Sequence, residues 1–336
     1  MERKPLPDVL KGIAVILMIQ VHIMELLMLP VVYNSSFGYI SLFLGGVPAA
    51  PVFMAIMGYF AALSKKSSGQ QAVRGIKLII LGFFLNIGLN AHLLIRIFRG
   101  ELEFNPLHYI FGVDILFLAG LSLIFIALVK MVAGKNVWVF LLLTFSIPAL
   151  AEYTPFLYQG EGIWKYFMAF IISNAEWSYF PFFPWAGWVL AGFTFALFEK
   201  KLTNDPVYMK FGTYLVFLSG IPVIFFLPWA SRISTILPYY YHHGILFFIW
   251  GLFFLLLWVL AFQFLISRLG KNPVMSYLQW FGKNVTLAYV VQWLIIGNLA
   301  TAIFRSQPAY MFWVFLFLVL PTTTAIVFIA GKRKRT

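Results

Sequence analysis

Lys11 and His22 stand eleven residues apart in the otherwise apolar stretch DVLKGIAVILMIQVHIMELLM, with Asp8 at its start and Glu25 three residues past the histidine. An α-helix turns about 100° and rises about 1.5 Å per residue, so Lys11 and His22 lie within about 20° of each other and about 16 Å apart along the axis. Asp8 and Glu25 fall within about 60° of that line, which gives the helix one polar stripe. Ionisable groups inside a bilayer cost about 3 kcal/mol each on insertion scales and usually face a cavity or a partner. Imidazole, with an ordinary pKa near about 6.5, accepts a proton at neutral pH and suits a general base. A lone intramembrane histidine is also often just a hydrogen-bonding link between helices. The aligned Lys, Asp and Glu favour the chemical reading here.

The elements that must position this stripe are membrane helices. Of 336 residues, 62% are hydrophobic and 10% charged, and the mean hydropathy is +0.90. No soluble core needs that much apolar surface, so the expected class is an all-α, polytopic integral membrane protein. Apolar runs at 9–29, 40–63, 78–98, 110–133, 137–151, 184–198, 211–229, 244–266, 284–304 and 309–330 predict about ten transmembrane helices. The first run is too long for a signal peptide and lacks a cleavage site, so it reads as a retained helix. With the N-terminus inside, 19 of the 24 Lys and Arg fall on the inner side, and the positive-inside rule then places both termini in the cytoplasm. The net charge of +13 follows from that topology, and no nucleic-acid partner is expected. The stretch 152–183 is expected outside as a re-entrant or interfacial segment. With no cysteine, disulfides and thiolate chemistry are excluded.

In this orientation all five histidines (22, 92, 108, 242 and 243) fall in the outer half, with Glu25, Asn90, Asp114 and Glu152. A polar cavity opening outward is the expectation. The His242–His243 pair is the one short-range histidine spacing in the sequence, so no metal site is expected. On the inner side, KKSSGQQAVRGIK carries four cations, which suit topology or anionic lipid. Arg74 and Lys77, i and i+3, equally suit a phosphorylated ligand.

These residues resemble the transmembrane acyltransferase superfamily. Lys11-x10-His22 has the spacing of the acyltransferase-3 branch, while Asp8, Lys11 and Gly12 follow the Asp-x-x-Arg-Gly opening of the branch containing heparan-α-glucosaminide N-acetyltransferase. PVFMAIMGYFAALSKK resembles the family's second helix and RGIKLIILGFFLN the Arg-x-x-Arg-like start of its third, with Lys77 for the second Arg. NPLHYIFGVDILFLAGLSL, YFPFFPWAGWVLAGFTFAL and LQWFGKNVTLAYVVQWLII are similar, in order, to segments of bacterial relatives of the heparan enzyme. Thr286 stands where Ser is usual, and Val291–Gln292 replaces a common His-Gln. The resemblance implies a single acyltransferase domain over 1–336, in the bacterial inner membrane. It implies transfer of an acetyl group from cytoplasmic acetyl-CoA to an amine or hydroxyl of a sugar or glycan on the far side. His22 would be the general base, Glu25 would tune or orient the proton path, and Asn90 and Asn86 would hydrogen-bond the thioester oxygen or the acceptor. Lys11, Arg74 and Lys77 would hold the CoA phosphates, and His108, Asp114, Glu176 and Trp185 would contact the acceptor. Exposed aromatic surfaces leave room for a homodimer. The rival reading is a transporter or flippase for a polar envelope metabolite, with His22 relaying protons; the lack of an internal repeat counts against it.

Overall fold

The computed structural model describes residues 5–153, 162–172, 175–204, 214, 218–270 and 272–333, with the backbone alone at 200–204 and 333. The described chain is all-α; its only ladder-type pairings are isolated bridges, Met28 with Gln307 and Val113 with Ser178. Eight helices are long and apolar enough to cross a membrane, which makes the chain a polytopic membrane protein. The long helices are α1 (Leu6–Leu27), α2 (Ser36–Leu63), α3 (Ser68–Leu89), α4 (Ile115–Ala133), α5 (Val137–Ala151), α6 (Phe182–Asn204), α7 (Ile245–Leu269), α8 (Val285–Ile303) and α9 (Ala309–Arg333). All but α5, at 15 residues, reach spanning length. The run at 211–229 lies partly outside the described residues.

The expected boundaries shift at three places. α3 begins ten residues before 78, at Ser68, so Arg74 and Lys77 ride on its first turns. It stops at Leu89, and Ala91–Phe98 follows as a separate short helix. α4 begins at Ile115 because Asp114, extended at ψ 166°, caps it by accepting from Ile115 N–H.

The chain divides into two compact units: residues 1–53, 85–106 and 258–336, and residues 54–84 and 107–257. In the first, α1 starts with Pro7 and Asp8 in its opening turn, where a missing N–H costs nothing and a carboxylate meets the positive helix end. α1 crosses the Pro273–Lys283 helix backbone to backbone. A Cβ on Gly12 would strike the carbonyl oxygen of Leu278, and one on Gly282 that of Asp8. Small residues permit this approach where lipid offers no hydrophobic drive. Val15, Ile19, Ile23 and Leu27 of α1 then bury against Phe281, Ile296 and Phe312.

The second unit repeats the device. Gly58 of α2 meets the carbonyl oxygen of Val189, and Gly192 of α6 meets that of Ala55. Gly75 and Gly120 do the same for α3 and α4. Buried Gln71 donates to the Ala61 carbonyl at 3.0 Å and accepts from Lys130 Nζ at 3.1 Å.

Candidate active site

α1 is held in register by polar links as well as by its glycine. Gln20 Nε2 donates to the Ser41 carbonyl at 2.9 Å while Ser41 Oγ donates to Gln20 Oε1 at 2.6 Å, a closed exchange that leaves neither amide end wanting. At the other end of the helix the final carbonyls need donors. The loop at Arg305 supplies them: Arg305 N–H donates to Leu26 O, Gln307 N–H to Leu27 O, and Arg305 Nε–H to Glu25 O at 3.1 Å. Arg305 holds φ at +47° to do so, a left-handed conformation that costs about 1–3 kcal/mol in a residue with a side chain. Its guanidinium also lies 5.1 Å from the Tyr33 ring centre. Burial and the Glu25 carboxylate push the Tyr33 hydroxyl pKa up, against the pull of Arg305.

α8 is fixed from its other side. Gly297 lies against the Leu89 carbonyl, and Asn298 Nδ2 donates to the Gly88 carbonyl at 2.9 Å while its Oδ1 accepts from His92 N–H at 3.0 Å. This brings Gln292 and Trp293 to His22. The half-buried imidazole donates from Nδ1 to Gln292 Oε1 at 3.1 Å. The Trp293 ring lies across it, 3.9 Å between centres at 33°. With Nδ1 as the donor, the lone pair is on Nε2, and this nitrogen has no hydrogen-bond partner among the described residues. An imidazole oriented through one nitrogen and open at the other is able to accept a proton at the open one.

The other expected site residues are distributed as follows. Asp8 and Lys11 form a buried ion pair at 2.9 Å. Glu25 is half-buried one turn beyond His22, under the charge of Arg305. Asn86 is buried, and Asn90 donates from Nδ2 to its carbonyl at 3.0 Å, closing the end of α3. All of these belong to the same unit as His22.

The remainder belong to the second unit. Arg74 and Lys77 are exposed and have no partner among the described residues. His108 stacks on Trp177 at 4.1 Å and 19°, with Lys165 Nζ 5.5 Å from the same indole. Burial, helped by the Lys165 charge and opposed by Glu176, lowers the His108 pKa; Glu176 itself is exposed. Asp114 serves as the α4 cap. Trp185 is fully buried and donates to the Tyr241 carbonyl at 2.8 Å. Beside it, His243 donates from Nδ1 to the Tyr240 carbonyl at 2.8 Å and accepts the Trp188 indole N–H on Nε2 at 3.1 Å. Among the described residues no group of three or more His, Asp or Glu could hold a metal ion.

The sequence reading passed over Gln292, Trp293 and Arg305 as site residues. A glutamine inside an apolar 19-residue helix was the available signal, since such polar groups bond across helices or line a site. No curated protein and no solved structure matches the chain at a significant level. The family pattern described as heparan-alpha-glucosaminide N-acetyltransferase, catalytic, matches residues 3–227, and the chain belongs to that family of membrane acetyltransferases.

Proposed function

We propose that this protein transfers an acetyl group from cytoplasmic acetyl-CoA to an amine or hydroxyl of a sugar or glycan at the extracytoplasmic side of a bacterial inner membrane, the 336 residues acting as one acyltransferase domain. The observation that carries the reading is His22, oriented by Gln292 through Nδ1 and open at Nε2. There it would take the proton of the acceptor as the acceptor attacks the thioester carbon. Membership of the family supports acetyl as the group transferred. Glu25, one turn away, would set the field around the proton path. Arg74 and Lys77, exposed cations without partners among the described residues, are of a type that pairs with phosphate oxygens such as those of CoA. Lys11, paired with Asp8, would act on the donor only by sharing its ion pair.

Purified protein in detergent, given radiolabelled acetyl-CoA with a panel of amino sugars and glycans, tests this. Label on a sugar names the acceptor class and the N- or O-linkage. No transfer to any member, together with no thermal stabilisation by CoA, rejects the reading and leaves transport of a polar metabolite in its place.

A further inference from the structure

The fold leaves two polar atoms unused beside His22. Gln292 is wholly buried; its oxygen accepts from the imidazole, but its Nε2 has no partner among the described residues. The next residue, Trp293, lies across the same imidazole, and its indole Nε1 is likewise buried without a partner among the described residues. A buried donor left unpaired costs roughly 1–3 kcal/mol, and native folds keep few of them. Here two sit on consecutive residues of one helix, both flanking an imidazole whose Nε2 has no partner among the described residues. Neither is needed to hold the ring: the Gln292 oxygen and the Trp293 ring face already do that.

We propose that Gln292 Nε2 and Trp293 Nε1 are the oxyanion donors of the acyl transfer, a role that rests on the reading of His22 above. The acceptor's lone pair forms a bond to the thioester carbon while its proton passes to His22 Nε2. The C=O π pair moves onto oxygen, and the two N–H groups receive that negative charge. When the π bond re-forms, the C–S bond breaks with its pair on sulfur, and the proton on Nε2 moves to sulfur to release the free thiol. Gln292 thus faces both ways: its oxygen sets the tautomer of the base, and its nitrogen meets the developing oxyanion. Donors fixed in a water-poor site need no reorganisation as charge appears, which is why such groups are worth most in the transition state.

The test uses the full chain, acetyl-CoA and a sugar acceptor acetylated by the wild type. Trp293→Phe keeps a ring on the imidazole and removes one donor. The expected result is a kcat lower by about 10²–10³-fold, with KM for acetyl-CoA and the pH profile of kcat/KM unchanged, because His22 stays oriented. Gln292→Glu keeps an oxygen for Nδ1–H and removes the other donor, and it carries the test if Trp293→Phe does not fold. Wild-type kcat in a folded Trp293→Phe or Gln292→Glu variant overturns the inference. If the wild type instead transfers no acetyl group, or His22→Ala transfers as fast as the wild type, it is the acyl-transfer reading that has failed.

Discussion

His22 and His243 both donate from Nδ1 to an oxygen, at 3.1 Å to Gln292 and 2.8 Å to Tyr240, and both have a tryptophan beside them. They differ at Nε2. Trp188 gives its indole N–H to His243, whereas Trp293 lies across the His22 ring and its N–H has no partner among the described residues. The first pair is closed: each polar atom of the imidazole has a partner, and His243 is almost wholly buried. The second pair is open and half-buried, with Nε2 of the imidazole and two donors on the facing helix unpartnered among the described residues. The residue types are the same, so what sets His22 apart from His243 is the valence left unfilled among the described residues, which the proposed role as a base requires.

The largest effect expected from breaking this contrast is on catalysis. His22→Ala should cut transfer by at least about 10²–10⁴-fold, with unfolding in detergent close to wild type; a folded but fully active variant would erase the distinction. Trp188→Phe should do the reverse. It strands His243 Nε2 in a buried setting, so thermal unfolding should show a loss of about 1–3 kcal/mol, while transfer per folded molecule stays at the wild-type level. Falling activity at unchanged stability would instead move His243 into the site.

The smallest effect is on pH dependence. Burial lowers the pKa of both His242 and His243 to about 4, against about 6.5 in the unfolded chain. Between those values the unfolded state binds more protons, so stability rises with pH across the window and is lost as pH falls from about 6.5 toward 4. The apparent melting temperature should follow that slope, and His243→Gln should flatten it. An unchanged slope would mean that other groups drive acid unfolding.

Much of the fold was legible in the sequence, because a bilayer allows few solutions: long apolar runs must be helices, and eight of the expected spans appear. Their ends were harder to place. α3 runs ten residues past its apolar stretch into Ser68, because polar residues extend a helix beyond the membrane without changing its backbone. Asn90 and Asp114 mark ends through local hydrogen bonds that hydropathy does not register. The expected re-entrant stretch, 152–183, appears in its described part as the short helix Trp164–Met168 with Val113 bridging Ser178.

The candidate site was half legible. The stripe on α1 follows from helical spacing alone, and the structure pairs Asp8 with Lys11 as i, i+3 geometry suggests. The partners of His22 come from α8, 270 residues along the chain and beyond the end of the family match at residue 227. No local pattern links the two helices. Trp185 shows the opposite case: a tryptophan near a segment end reads as a sugar platform, yet the fold buries it and gives its N–H to Tyr241.

Chemical rescue tests the role of His22 most directly. The His22→Ala variant, shown to be folded by its melting temperature, is assayed for acetyl transfer with increasing imidazole. An open base nitrogen at this position predicts that transfer is lost and returns in proportion to imidazole, while His243→Ala shows no imidazole dependence. Full activity of folded His22→Ala without imidazole would contradict it.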